Sequence, residues 1–204
     1  LGLQKLNAVI GISMGGMQAF QWSISYPEMM GKVISIVGTP QLYSHDLIGL
    51  NILSKIIETD KDFQTGNNSN IATASMFFEY ILTTATEKSK SMSRDSFNIW
   101  KQNLEKTKPA EWNNFYTQLN AWKQVDIAKE YNGSLAIAAE KVKAKFLIIV
   151  NEQDRVVNPL SSIDFASFQK SKLVKINDES GHTACFKLWD TPIIRDNVIQ
   201  FLNN

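Results

Sequence analysis

Ala8-Val9-Ile10-Gly11-Ile12-Ser13-Met14-Gly15-Gly16 joins two different hydrophobic patterns. Residues 8–12 form a nearly continuous apolar run, the pattern of a strand buried on both faces of a parallel sheet. Ser13-Met14-Gly15-Gly16 then turns into a stretch where Met17, Phe20 and Ile24 recur at helical spacing, and Tyr26-Pro27 ends it. A second strand is expected over residues 33–37, closed by Gly38-Thr39-Pro40. Together these predict a strand, a sharp turn, a helix and a second strand.

Beyond residue 45 the character changes. The stretch to residue 141 is rich in Lys, Asn, Ser and Thr, and its apolar residues fall on helical stripes. One stripe is Leu47, Leu50, Leu53 and Ile57; a second is Ile71, Ser75, Phe78 and Leu82. Phe97, Trp100 and Leu104 make a third, and Trp112, Phe115, Leu119 and Trp122 a fourth. Gly66-Asn67-Asn68 separates the first two, and Pro109 suits a first helical turn. Strand signals return at residues 145–150 and 173–176, with a helix expected around 163–170 between them. Thr191-Pro192 is an N-cap and N1 pair for a closing helix with Ile194, Val198 and Phe201 inward. The fold class expected is α/β: a mainly parallel sheet flanked by helices, with a helical lid insertion. Residues 1–44 and 142–204 would form the two core segments and residues 45–141 the lid.

Four strands are fewer than the about 5–6 of an average sheet. A doubly buried strand at residue 8 would need a neighbour that seven preceding residues cannot supply. The chain also starts at Leu1 and not Met. It is therefore expected to begin partway through a longer protein.

Composition excludes several function classes. The 204 residues are 44% hydrophobic and 10% aromatic, enough for a sizeable core. Lys and Arg total 21 against 20 Asp and Glu, so nothing points to nucleic acid or an anionic membrane as partner. Cys185 is the only cysteine, which excludes an internal disulfide and fits a cytoplasmic location. With His45 and His182 the only histidines, no metal site is expected. No segment reads as a membrane span or a signal peptide, and no phosphate-binding glycine motif is present.

Gly11-Ile12-Ser13-Met14-Gly15 matches G-x-S-x-G between an apolar strand and a helix, the context a nucleophile elbow requires. Gly11 and Gly15 would sit where flanking side chains clash, and Ser13 would be held at the tip. The Met14 backbone N–H, at a helix N-terminus, could receive a developing oxyanion. A strand-to-helix turn that merely contains Ser would share the pattern, so the partners decide. A Ser hydroxyl needs a base. His182 in Glu179-Ser180-Gly181-His182-Thr183 follows the last strand. Asp154 follows the third strand and can orient the imidazole, with Glu152 the alternative at the same strand end. The order Ser13, Asp154, His182 is that of α/β-hydrolases. His45 reads as a surface or capping residue, Cys185 as a small core or pocket hydrophobe, and the Trp and Phe stripes as lid core.

The run from Val9 to Trp22, with Gly15-Gly16-Met17-Gln18-Ala19 after the Ser, and the following Tyr26-Pro27, resembles the elbow of homoserine O-acetyltransferases. Tyr116, Gln118, Ala121, Trp122, Asp126 and Ile127 resemble the end of that family's helical lid. Asp154 with Pro159 resembles its acid loop, and Gly181-His182 with Ala184 and Phe186 its histidine signature. The similarity spans nearly the whole chain and the later part of a family member. It implies a partial α/β-hydrolase fold with a helical lid, in an enzyme of methionine biosynthesis. Such an enzyme moves an acyl group from acyl-CoA, as co-substrate and not a resident cofactor, to the hydroxyl of homoserine. The resemblance makes Ser13 the nucleophile, His182 the base and Asp154 its partner, and it leaves a homodimer open. Two positions depart from the family. Ser54, next to Lys55, stands where an Arg contacts substrate, and Thr183 where an Asp follows the His. An esterase of the same fold and a non-catalytic chain are the competing readings.

Overall fold

The computed structural model describes residues 2–59, 71–104, 110–187 and 190–204. Strands β1 (Leu6–Ile12), β2 (Met30–Ile36), β3 (Lys145–Asn151) and β4 (Lys172–Ile176) form one parallel sheet in the order β1-β2-β3-β4. The helices are α1 (Met14–Ser25), α2 (Ser44–Glu58), α3 (Ile71–Leu82), α4 (Ala85–Ser91), α5 (Arg94–Leu104), α6 (Ala110–Trp122), α7 (Leu135–Ala139), α8 (Leu160–Gln169) and α9 (Pro192–Asn203).

Side chains alternate along a strand, so each strand feeds two cores. Val33 of β2 and Phe146, Ile148 and Val150 of β3 meet Phe20 of α1, Ala138 and Ala139 of α7 and Phe165 of α8. Phe20 stacks on Phe146 with centroids 4.8 Å apart, and Phe165 meets both rings edge-on. Ile34, Ile36, Leu147 and Ile149 point the other way, against Ile194, Val198 and Phe201 of α9. The crossover helices α1 and α8 share a face because each joins adjacent parallel strands in the same direction. Pro192 opens α9 as expected, but Thr191 makes no capping hydrogen bond with its side chain. Packing on the first face reaches back to Ile127, ahead of the residue-142 boundary expected for the second core segment.

β1 departs from the expectation of a strand buried on both faces. It is the edge of the four-stranded sheet, with Ile10 50% and Ile12 37% exposed. Burial is set by neighbours, and among the described strands only β2 pairs with it.

The insertion leaves and rejoins the core at one place. Gln41 bridges Asp126, its Nε2 donating to Asp126 Oδ1 at 3.0 Å, and the Ile127 N–H donates to Pro40 O at 3.0 Å. Leu50, Leu53 and Ile57 of α2, Ala74 of α3, and Leu119 and Trp122 of α6 form its core. They close on Met17 of α1 and on Val156 and Val157.

The stripes hold only in part. Leu47 is exposed, and Asp46 turns inward in its place. Among the described side chains of α3 the fully buried one is Ala74, not a member of the expected stripe. No residue of α5 is buried; Phe97 and Trp100 instead face Met76, Tyr80 and Met92 across a shallow cavity. The turn expected at 66–68 and Pro109 lie outside the described residues. No helix among the described residues is long and apolar enough to cross a membrane.

Candidate active site

The four described strands are parallel, so their C-terminal ends share one edge, and the loops of that edge carry the candidate residues. At the end of β1, Ser13 adopts φ 53° and ψ −120°. A side-chain-bearing residue held there stores about 1–3 kcal/mol of strain. The surroundings enforce it. The Ser13 N–H donates to Ile36 O at 2.8 Å, and Ser13 O accepts from the Met17 N–H at 3.1 Å. A Cβ on Gly11 would stand 1.9 Å from Gly15 O, so the backbone can fold this tightly only over a glycine.

Gly15 does not have the expected steric role. A Cβ there would meet nothing within 4 Å. The close approach falls one residue later, where a Cβ on Gly16 would lie 2.7 Å from Ser35 Oγ and 3.1 Å from Gly38 Cα. α1 packs on the end of β2 through Gly16, whereas Gly15 faces away.

Ser13, Asp154 and His182 come together as expected. Ser13 Oγ lies 2.8 Å from His182 Nε2, and His182 Nδ1 lies 2.7 Å from Asp154 Oδ2. Asp154 and His182 are buried, at 8% and 4% exposure. The second carboxylate oxygen of Asp154 accepts the N–H groups of Val156 and Val157, each at 2.9 Å. Those bonds hold a buried charge that would otherwise be costly. With Nδ1–H donating to the carboxylate, Nε2 is left to accept the Ser13 proton. Met14 opens α1, where the first N–H groups lack intrahelical acceptors and lie at the positive end of the helix dipole. A cavity of about 220 Å³ beside it is lined by Met14, Met17, Gln18, Gln21, Ala121 and Val125.

The helical insertion reaches the loop that carries His182. Thr84 caps α4 by accepting the Glu87 N–H at 3.1 Å and donates to Glu179 O at 2.5 Å; Lys90 pairs with the Glu179 carboxylate. Sequence reasoning missed Asp46. Its carboxylate accepts the Tyr43 N–H at 2.9 Å and the Asn158 N–H at 2.8 Å, joining the start of α2 to the acid loop. Burial raises its carboxyl above the usual carboxylate range. The signal was an acid three residues after the cap position Tyr43.

The remaining candidates lie elsewhere. His45 is exposed on the first turn of α2 and borders a second cavity with Tyr80 and Arg155. Glu152 faces solvent near Lys175 and does not take the place of Asp154. Ser54 is buried and accepts from Lys123 Nζ at 2.9 Å. Among the described residues, no three His, Cys, Asp or Glu side chains converge as a metal ion would require. Cys185 is buried, which pushes its thiol up to about 11. At pH 8 the thiolate is therefore on the order of one part in a thousand. Iodoacetamide at pH 8 is expected to alkylate Cys185 at least about a hundredfold more slowly in the folded chain than in urea. Equal rates by mass spectrometry would contradict that burial.

The family pattern described as alpha/beta hydrolase fold matches residues 1–187. An ethyl acetate hydrolase of Pseudomonas veronii is 28% identical over 167 residues, covering 76% of this chain and 48% of that protein. A homoserine O-succinyltransferase of Ectopseudomonas mendocina is 42% identical over 67 residues, covering 33% of this chain and 18% of that protein. The crystal structure of an acetylester hydrolase from Corynebacterium glutamicum superposes with a TM-score of 0.82 at 22% identity. It covers 100% of this chain and 63% of that one. The chain thus spans about half the length of the first of these relatives.

Proposed function

We propose, from the premise that this chain belongs to the α/β-hydrolase fold family, that it performs acyl transfer through Ser13, with small acyl esters as donors and water as acceptor. The observation that carries the reading is the continuous hydrogen-bond line from Ser13 through His182 to Asp154. His182 Nε2 takes the Ser13 proton as Oγ bonds the carbonyl carbon. The Met14 N–H faces the resulting oxyanion. The tetrahedral adduct then expels the alcohol, which leaves with the proton held by His182. Water next gives a proton to His182 and attacks the acyl-Ser13 ester. The second adduct expels Ser13 Oγ, which recovers the proton, and the acid departs. Similarity to an ethyl acetate hydrolase over three quarters of the chain supports water as acceptor.

A second reading, transfer from acyl-CoA to the hydroxyl of a homoserine-like acceptor, is supported by two observations. One is the 42% identity to a homoserine acyltransferase over 67 residues. The other is the Lys123 ammonium at Ser54, which brings a cation to the position where the resembling family carries Arg. The test is product analysis. The chain is incubated with ethyl acetate, or with acetyl-CoA and homoserine, and Ser13 is followed by intact mass. Free acetate from both mixtures is the expected result. O-acetylhomoserine in excess of acetate would move the assignment to the transferase. A wild-type chain never acylated on Ser13 would overturn both.

A further inference from the structure

We infer that Asn151 is a positioning residue that sets the Asp154–His182 distance by tying the acid loop to the histidine loop. The inference rests on the reading of Ser13 as nucleophile. Asn151 is the last residue of β3 and is 0% exposed. It pairs with Ile176, the last residue of β4, and the Glu152 N–H still reaches Ile176 O at 2.9 Å. There the strand pairing stops and the two chains separate. The Asn151 side chain continues the ladder. Its Oδ1 accepts the Asp178 N–H at 3.0 Å, and its Nδ2 donates to Asp178 O at 2.8 Å. A side-chain amide thus pairs with both backbone groups of Asp178, as a strand neighbour would.

The same amide has two further partners. Nδ2 donates to Gly181 O at 2.7 Å, and Oδ1 accepts the Gln153 N–H at 3.2 Å. Its two donors and two acceptor positions are all occupied, as full burial demands. Gly181 immediately precedes His182, and Gln153 immediately precedes Asp154. One buried side chain therefore holds the residue before the base and the residue before the acid. Gly181 lies at φ 64°, and a Cβ there would stand 3.0 Å from Leu82 O, so a side chain at that turn would be strained. None of these four hydrogen bonds goes to Ser13 or to the His182 ring. Its action is through the relative position of two loops that meet at a 2.7 Å bond.

The test combines Asn151→Ala and Asp154→Ala, alone and together, with a fluorophosphonate probe and p-nitrophenyl acetate. Asn151→Ala is expected to slow Ser13 acylation by about a hundredfold with KM changed less than about twofold, since a shift near 1 Å in a catalytic pair has that effect. In the Asp154→Ala background the same substitution should slow acylation by less than about threefold, because the pair it positions is already broken. A purely structural role lowers the melting temperature but leaves the rate per folded molecule unchanged in both backgrounds. That result overturns the inference, as does an equal loss with and without Asp154. Asn151→Ser, which keeps an acceptor at the position, carries the same comparison where the alanine variant does not fold. Absence of wild-type labelling at Ser13 would instead overturn the proposed function, so the two failures are distinct.

Discussion

Ser13→Gly is expected to abolish acyl-enzyme formation and yet to melt at a higher temperature than Ser13→Ala. Loss of the nucleophile in serine enzymes lowers turnover by about 10⁴- to 10⁶-fold, the residual rate coming from the oxyanion donors and from binding. Both variants should fall to that floor with p-nitrophenyl acetate. Their stabilities should differ because Ser13 sits at φ 53° and ψ −120°. Alanine keeps a Cβ in that strained geometry and glycine does not. Strain release of about 1–3 kcal/mol exceeds the about 0.5–1 kcal/mol that glycine loses in backbone entropy. The net gain of about 1 kcal/mol corresponds to about 2–4 °C for a domain of this size. Both substitutions remove the bond to His182 Nε2, so the comparison isolates the backbone. A glycine variant melting at or below the alanine variant would show that the elbow is not strained. Turnover retained in either would remove Ser13 from the chemistry.

The sharp turn at Ser13 was legible because it is built locally. Strand, Ser and helix lie within one short run, and the strain at Ser13 follows from the turn they must make. The meeting of Asp154 and His182 was legible for a different reason. Asp154 and His182 each follow an apolar strand, and parallel strands deliver such residues to one edge. The closing helix was legible because Ile194, Val198 and Phe201 keep their period and all face the sheet.

What was not legible depends on partners distant in sequence. β1 read as doubly buried by a neighbour that these residues cannot supply, and with β2 its only partner among the described strands, Ile10 and Ile12 are exposed. Leu47 lost its place on α2 to Asp46, because capping bonds to Tyr43 and Asn158 outweigh burial of one more leucine at that turn. α4 and α7 span 7 and 5 residues, too short for a periodic stripe to register. Asn151 lies just past the strand expected at residues 145–150 and drew no reading from the sequence. Its four bonds depend on where Asp178 and Gly181 come to rest.

Gly11→Ala and Gly15→Ala are expected to behave oppositely, although the G-x-S-x-G pattern treats the two glycines alike. On Gly11 a Cβ would meet Gly15 O at 1.9 Å, Gly15 C at 2.2 Å and Gly16 N at 2.6 Å. All three atoms are backbone, in the first turn of α1, so no side chain can rotate aside. Relief requires α1 to move off β1, which breaks the Ser13 N–H bond to Ile36 and displaces Oγ from His182. The expected destabilisation is about 3–5 kcal/mol, a large part of the stability of an ordinary domain, with acylation of Ser13 lost in whatever remains folded. On Gly15 the same methyl group enters open space inside a helix. There alanine is the better helix former by about 1 kcal/mol, so the variant should be as stable as wild type or slightly more so. Thermal melts together with fluorophosphonate labelling of the two variants separate the cases. A Gly11→Ala chain that melts and labels like wild type would mean the elbow opens without cost, and the geometry that aims Ser13 at His182 would need another explanation.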